Sequence, residues 1–238
     1  MKKIIQLFII VFFTLIFYQC NNDDENIVEQ TAETVTDING NVYRTITIGN
    51  QTWMAENLKT TSFNDGISMT KFTFGQNWNK DGQTFPFYTW ADTSDLNNVY
   101  DEELPEEFYG AIYNEAAIVS GKLAPNGWRI PTLQDWMELK NFTSNDGNTG
   151  NEGTALKSST GWISFSGNGT DLYEFNGLAN GYTNNFGGAT GAESIATWAT
   201  TESDEINKIR KVATLFKTTL EFGDNSTLLG SGIRCIKE

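Results

Sequence analysis

The 238-residue chain contains no histidine, and that single absence removes several function classes. Ser-His-Asp and Cys-His catalysis need an imidazole as general base, and so does every metal site built on imidazole. Cysteine is nearly as scarce, with only Cys20 and Cys235. Cys20 closes an N-terminal apolar segment, so Cys235 has no partner for an internal disulfide framework. Basic residues are few: 16 Lys and Arg stand against 30 Asp and Glu, a net charge of −14. Such a chain is repelled by phosphate backbones and anionic headgroups, so nucleic acid is not an expected partner. No apolar run reaches the roughly 20 residues needed to span a bilayer.

What is present begins with targeting. Met1, Lys2 and Lys3 form a short positive region, and Ile4 to Tyr18 is almost wholly apolar. Residues 1–19 therefore read as a signal peptide. The segment ends Phe17-Tyr18-Gln19-Cys20 and not at a small-x-small cleavage site. It resembles the lipobox of bacterial lipoproteins, in which the cysteine becomes residue one and carries the lipid. Gln19 departs from the usual Gly, Ala or Ser, a relaxation that occurs in Bacteroidetes-type bacteria. The alternative is an incidental thiol at Cys20 behind an uncleaved apolar anchor. Several acyl chains on Cys20 would hold the protein at a membrane stably. Cleavage removes Lys2 and Lys3 and no acid, leaving 14 basic and 30 acidic residues, net −16. A lipid, and not a basic patch, must then supply the membrane contact. Asn22, Asp23, Asp24 and Glu25 follow directly; on composition they are a solvated acidic spacer. They also resemble the signal that sends Bacteroidetes lipoproteins to the outer face of the outer membrane. The expected location is the outer membrane, lipid-anchored and at the cell surface, with its periplasmic face as the alternative. Residues 20–34 read as a lipidated cysteine and flexible acidic tether, and 35–238 as one domain.

The domain opens with a turn at Asp37-Ile-Asn-Gly-Asn41. A β-branched alternating run from Val42 to Gly49 and an extended Thr52–Glu56 then predict a hairpin. Residues 60–100 are loop-rich and aromatic, with Trp78 among polar neighbours and Phe85 to Trp90 reading as a short extended piece. The acidic run 101–107 could suggest a cation site, but the stronger reading is that Pro105, Glu106 and Glu107 form the first turn of a helix. That helix would carry Phe108, Ile112 and Ala116 on one stripe, with Tyr109, Tyr113 and Ala117 beside it, and end near Gly121.

The clearest local grammar lies at Asn126 to Phe142. Gly127 breaks what precedes it, Pro131 holds Ile130 extended, and Thr132 caps a helix with Asp135 as the reciprocal partner. Leu133, Trp136 and Met137 should share one helical face, with Leu139 and Phe142 flanking it. Arg129, beside a helix start in an acid-rich domain, is expected to pair with a carboxylate and fix the turn. In the polar stretch that follows, Asp146, Asn148, Asn151 and Glu152 are weak calcium candidates, because their spacing misses the EF-hand loop. Later extended pieces are expected at Leu172–Phe175, Ser194–Thr201, Val212–Phe222 and Gly232–Ile236.

Seven segments together resemble the Fibrobacter succinogenes major paralogous domain. They are Asp37 to Tyr43, Gly49 to Leu58, Gly110 to Asn114, Leu123 to Thr132, Gly177 to Tyr182, Trp198 to Glu202 and Gly232 to Ile236. The resemblance implies an α+β, C-type-lectin-like fold, with two helices flanking a small antiparallel sheet, N- and C-terminal strands close together, and long irregular loops. It also links the chain to formylglycine-generating enzymes, whose Arg-Leu-Pro-Thr-x-x-Glu-Trp element is echoed at Arg129 to Trp136. Many relatives carry a cysteine where Ala124 stands, apparently paired with the one matching Cys235, so Cys235 is implied to be a buried free thiol. The active-site cysteine pair of the oxidising enzymes is missing, as are the Glu-Pro-Asn and Trp-Asn-Asp sugar motifs of animal lectins.

The leading expectation is a non-catalytic surface binding module for glycan or protein, with Trp78 as the ligand-facing aromatic and Tyr88 and Trp90 behind it. Trp53, Trp128, Trp136, Trp162 and Trp198 are expected in the core. An accessory subunit of an outer-membrane protein complex is the alternative. A carboxylate-based or formylglycine-generating-like enzyme ranks third, since no pair of acids is singled out by spacing. No catalytic residue and no cofactor is expected.

Overall fold

The computed structural model describes residues 33–73, 75–80, 84–91, 104–163 and 165–238. Cys20 and residues 22–25 lie outside them. Strand β1 (Thr34–Thr36) pairs with β2 (Val42–Ile48), which turns back into β3 (Gln51–Met54). The β-branched alternation of β2 thus yields the expected hairpin, with Ile46 opposite Trp53. Two short strands follow, β4 (Thr70–Lys71) and β5 (Phe87–Trp90), and then β6 (Ala111–Tyr113) and the single-turn helix α1 (Glu115–Ile118). Strand β7 (Trp128–Arg129) leads into α2 (Leu133–Thr143), a π-turn at Ser144–Asn148 and α3 (Glu152–Leu156). The remainder is β8 (Asn180–Thr183), β9 (Ala189–Ala192), β10 (Ala196–Asp204), β11 (Ile209–Phe216), β12 (Thr219–Ser226), β13 (Ser231–Gly232) and β14 (Ile236–Lys237).

The expected α+β, C-type-lectin-like arrangement of two helices around a small sheet is not what forms. Among the described residues the molecule is mostly β, in two sheets. One has five strands in the order β1-β2-β3-β14-β7, and the other runs β12-β11-β10-β13-β6-β5-β4 with the β8–β9 hairpin attached at β10. Only α2 exceeds five residues among the described helices.

The helix expected from 105 to 121 accounts for much of the difference. Residues 106–109 form a turn, and Gly110 at φ +83° ends it. Ala111–Tyr113 is then a strand between β5 and β13, buried at every residue. A short apolar run buried on both faces has no periodicity to separate strand from helix. Two other extended pieces are also redrawn. Leu172–Phe175 lies in a turn, and Val212–Phe222 is split by the reversal at Lys217, φ +51°, into β11 and β12. In α2 the buried residues are Trp136, Leu139 and Thr143, while Met137 and Phe142 are each 40% exposed, so the buried stripe is rotated from the expected one.

The five tryptophans expected in the core are buried. Trp136 stacks on Trp198 at 5.3 Å, and Trp53 and Phe175 close the cluster. Arg234 is sealed beside it, donating to Asn57 Oδ1 and to the carbonyls of Met54, Phe175 and Asn176 while its guanidinium lies over Phe175 and Trp198. Burial pulls its pKa down to about 9, so it stays charged at neutral pH and is held by dipoles and π faces. Cys235 is a buried free thiol, in the same apolar cluster as Ala124. Burial pushes its pKa up, so it remains a thiol.

Candidate functional site

The stretch Asn126 to Thr132 builds one wall of a cleft. Gly127 adopts φ +80°, allowing the reversal in which the Trp128 N–H donates to the Pro125 carbonyl at 3.0 Å. Thr132 caps α2: its hydroxyl accepts from the Asp135 N–H, and the Asp135 carboxylate accepts from the Thr132 N–H at 2.6 Å. The Arg129 guanidinium forks onto the same carboxylate at 2.6 and 2.9 Å. Burial pushes the Asp135 carboxyl up, but its bonds to Arg129 and Thr132 outweigh that and hold it below the usual range. Arg129 is raised in turn by its bond to Asp135. The expected carboxylate partner of Arg129 is thus Asp135.

Strand β10 brings a second acid to this helix. A register shift between Ala199 and Ser203 re-aims Glu202, whose two carboxylate oxygens each accept from the Leu133 N–H at 3.0 Å. The opposite wall comes from the end of α1 and the loop after it. Glu115, the first residue of α1, and Arg210 of β11 form a buried two-pronged ion pair at 2.8 and 2.6 Å. A third Arg210 bond goes to the Thr200 carbonyl. Only 3% of the Arg210 side chain is exposed, so the pair is desolvated on all sides but the cleft.

Between these walls lies a cleft of about 650 Å³, lined by Asn64, Val119, Asn126, Trp128, Arg129 and Arg210 among others. Its aliphatic side includes Ile118, Leu123 and Ile130. Both guanidiniums that reach it are already neutralised from behind, so the cleft offers paired hydrogen-bonding edges and apolar wall, and no bare charge of one sign.

None of the aromatic residues expected to face a ligand lies in this cleft. Trp78 is 1% exposed and packs edge-on to Phe72 at 5.2 Å and parallel to Phe87 at 6.2 Å. Its expected role as the exposed aromatic is therefore wrong: its polar neighbours in sequence are turn residues, while the ring itself is inside. Among the described residues its indole N–H has no hydrogen-bond partner. Tyr88 and Trp90 are half-buried on one face of β5, edge-to-face at 5.4 Å, and pack against a core cluster. The Tyr88 phenol is raised chiefly by burial.

The calcium candidates do not converge. Asp146 and Asn148 both bond the Tyr173 hydroxyl, whereas Glu152 accepts from the Ser144 hydroxyl and the Gly150 N–H. Asn151 starts α3 without a side-chain cap bond. Among the described residues no group of three or more His, Cys, Asp or Glu is placed to hold a metal ion. Missed in the sequence were Glu115 and Arg210, the first falling inside the expected helix and the second just outside the extended piece expected from Val212. Their pairing across 95 residues leaves no local signal.

A family model described as the Fibrobacter succinogenes major domain matches residues 46–237. No curated protein and no solved structure matches the chain.

Proposed function

The chain belongs to the Fibrobacter succinogenes major domain family, and from that premise we propose that it is a non-catalytic binding module, lipid-anchored through Cys20 at the surface of the outer membrane, whose ligand site is the cleft beside β7. The observation that carries this reading is the cleft itself. It has the volume of ordinary ligand pockets, and it rests on a capped helix and two buried-side ion pairs that fix its walls before any ligand arrives. Its arginines are locked to Asp135 and Glu115, an arrangement for positioning hydrogen bonds and not for exchanging protons. A glycan or a protein segment suits that mixture of apolar wall and paired polar edges.

The test uses the whole protein extracted in mild detergent. Binding is measured on a glycan array and by cross-linking to neighbours on intact cells. Val119 lines the cleft and is 52% exposed, so Val119→Trp fills the space without disturbing the core. Ligand capture should drop more than tenfold in this variant while its melting temperature stays within a degree or two of the parent. Capture unaffected by Val119→Trp would move the site elsewhere and overturn the reading.

A further inference from the structure

We infer that the cleft takes an extended peptide segment of a partner protein, which adds as a new strand to the free edge of β7. The inference rests on the cleft being the binding site, and it goes further by naming the class of ligand. Strand β7 ends the five-stranded sheet, with β14 on one side and, among the described residues, no strand on the other. Side chains of a strand alternate between faces, yet the consecutive residues Trp128, Arg129 and Ile130 all line the cleft. It is therefore the edge of the strand, with its main-chain groups, that borders the cavity.

The register says which groups those are. Arg129 is opposite Ile236, and the Glu238 N–H donates to the Gly127 carbonyl at 3.0 Å. Gly127 and Arg129 therefore turn their carbonyls toward β14. By the alternation of an antiparallel ladder, the Trp128 carbonyl and the Ile130 N–H point the other way. Among the described residues no donor reaches that carbonyl and no acceptor reaches that N–H. Trp128 and Ile130 are only 8% and 7% exposed, so these are not groups freely bathed in bulk water. Buried main-chain groups are almost always paired, and an unpaired carbonyl and N–H two residues apart match one residue of an added strand.

A strand on this edge would meet Ile118, Leu123 and Val119 with its apolar side chains. Glu238 lines the same cleft, and the chain as a whole is strongly acidic. The two guanidiniums are already neutralised. The segment captured is thus neutral or basic and apolar at alternate positions, and an acidic peptide is disfavoured.

The experiment pans a phage-displayed library of random twelve-residue peptides against the detergent-extracted full-length protein. Enriched peptides are synthesised and titrated against the wild type and Val119→Trp. Each is then remade with single backbone N-methyl groups. The expected result is binding that falls at least tenfold with Val119→Trp and with N-methylation at every second peptide residue, the intervening positions being tolerant. Either of two results overturns the inference: no enriched peptide depends on the cleft, or N-methyl sensitivity shows no alternation. A glycan whose binding is lost in Val119→Trp, with no cleft-dependent peptide, sinks the strand-addition idea and leaves the binding-module reading standing.

Discussion

Lys157 buries its ammonium among main-chain carbonyls. The Nζ donates to the carbonyls of Ser166 and Lys217 at 2.8 Å each and sits 4.2 Å from the centre of the Trp162 ring. These partners favour the charged form, but burial wins and pulls the pKa down to about 8 from 10.5. The consequence for stability has a definite sign. Below pH 8 the folded and unfolded chains both hold the proton, so the cost of burying the charge is constant. Between pH 8 and 10.5 the unfolded chain binds more protons than the folded one, so stability rises with pH. Urea unfolding of wild type and Lys157→Met at pH 7.5 and at higher pH isolates this contribution. The wild type should gain on the variant as pH rises, by up to about 3 kcal/mol across the window. A constant or shrinking difference would show that the ammonium is not desolvated. Nothing in the sequence around Lys157 announces this. Its acceptors lie 9 and 60 residues away.

At the scale of elements, legibility followed locality. Helix α2 could be read because Thr132, Asp135 and Arg129 sit within six residues and their chemistry closes on itself. Strand β6 could not, because what makes it a strand is a partner far away in the chain, Ile112 lying opposite Gly232. The same division runs through the cleft, where the Arg129–Asp135 half was visible and the Glu115–Arg210 half was not. Gly110 shows how one residue decides between the two outcomes. Its φ of +83° breaks the helical run, and the Asn57 side chain donates to the Tyr109 carbonyl right beside it. A Cβ at Gly110 would lie 2.5 Å from Asn57 Cβ, whereas one at Gly66, φ +87°, would meet nothing within 4 Å. Gly66→Ala should then cost only the backbone strain, about 1 kcal/mol, and Gly110→Ala about 3 kcal/mol or more once the overlap is added. Thermal melts of the two variants side by side check this. Equal losses would mean that Asn57 yields freely and that β6 is not pinned at its start.

The whole molecule poses a question of charge. A chain of net −14, or −16 if residues 1–19 are removed as proposed, has no electrostatic reason to stay at a membrane, and no helix among its described residues is long and apolar enough to cross one. If it is held there, acyl chains on Cys20 are the means proposed above, and they leave a measurable signature. Several buried acyl chains resist both high salt and alkaline washing, whereas a protein held by ion pairs leaves in 1 M salt, where screening acts within about 3 Å. Wild-type protein should therefore remain in the membrane pellet through both washes and incorporate labelled fatty acid. Cys20→Ala should lose the label. Its location then separates the two accounts of residues 1–19. If the segment is a lipoprotein signal, the variant is no longer anchored in the outer-membrane fraction as the mature species. If the variant stays in the pellet at the wild-type level and unlabelled, the apolar run from Ile4 to Tyr18 is itself an uncleaved anchor and the lipid proposal fails. Protease added to intact cells then tests the acidic residues 22–25 as a surface signal. Substituting Asp23, Asp24 and Glu25 by Ala should protect a lipidated protein that wild-type cells expose. Equal digestion of both would leave those acids as a solvated spacer only.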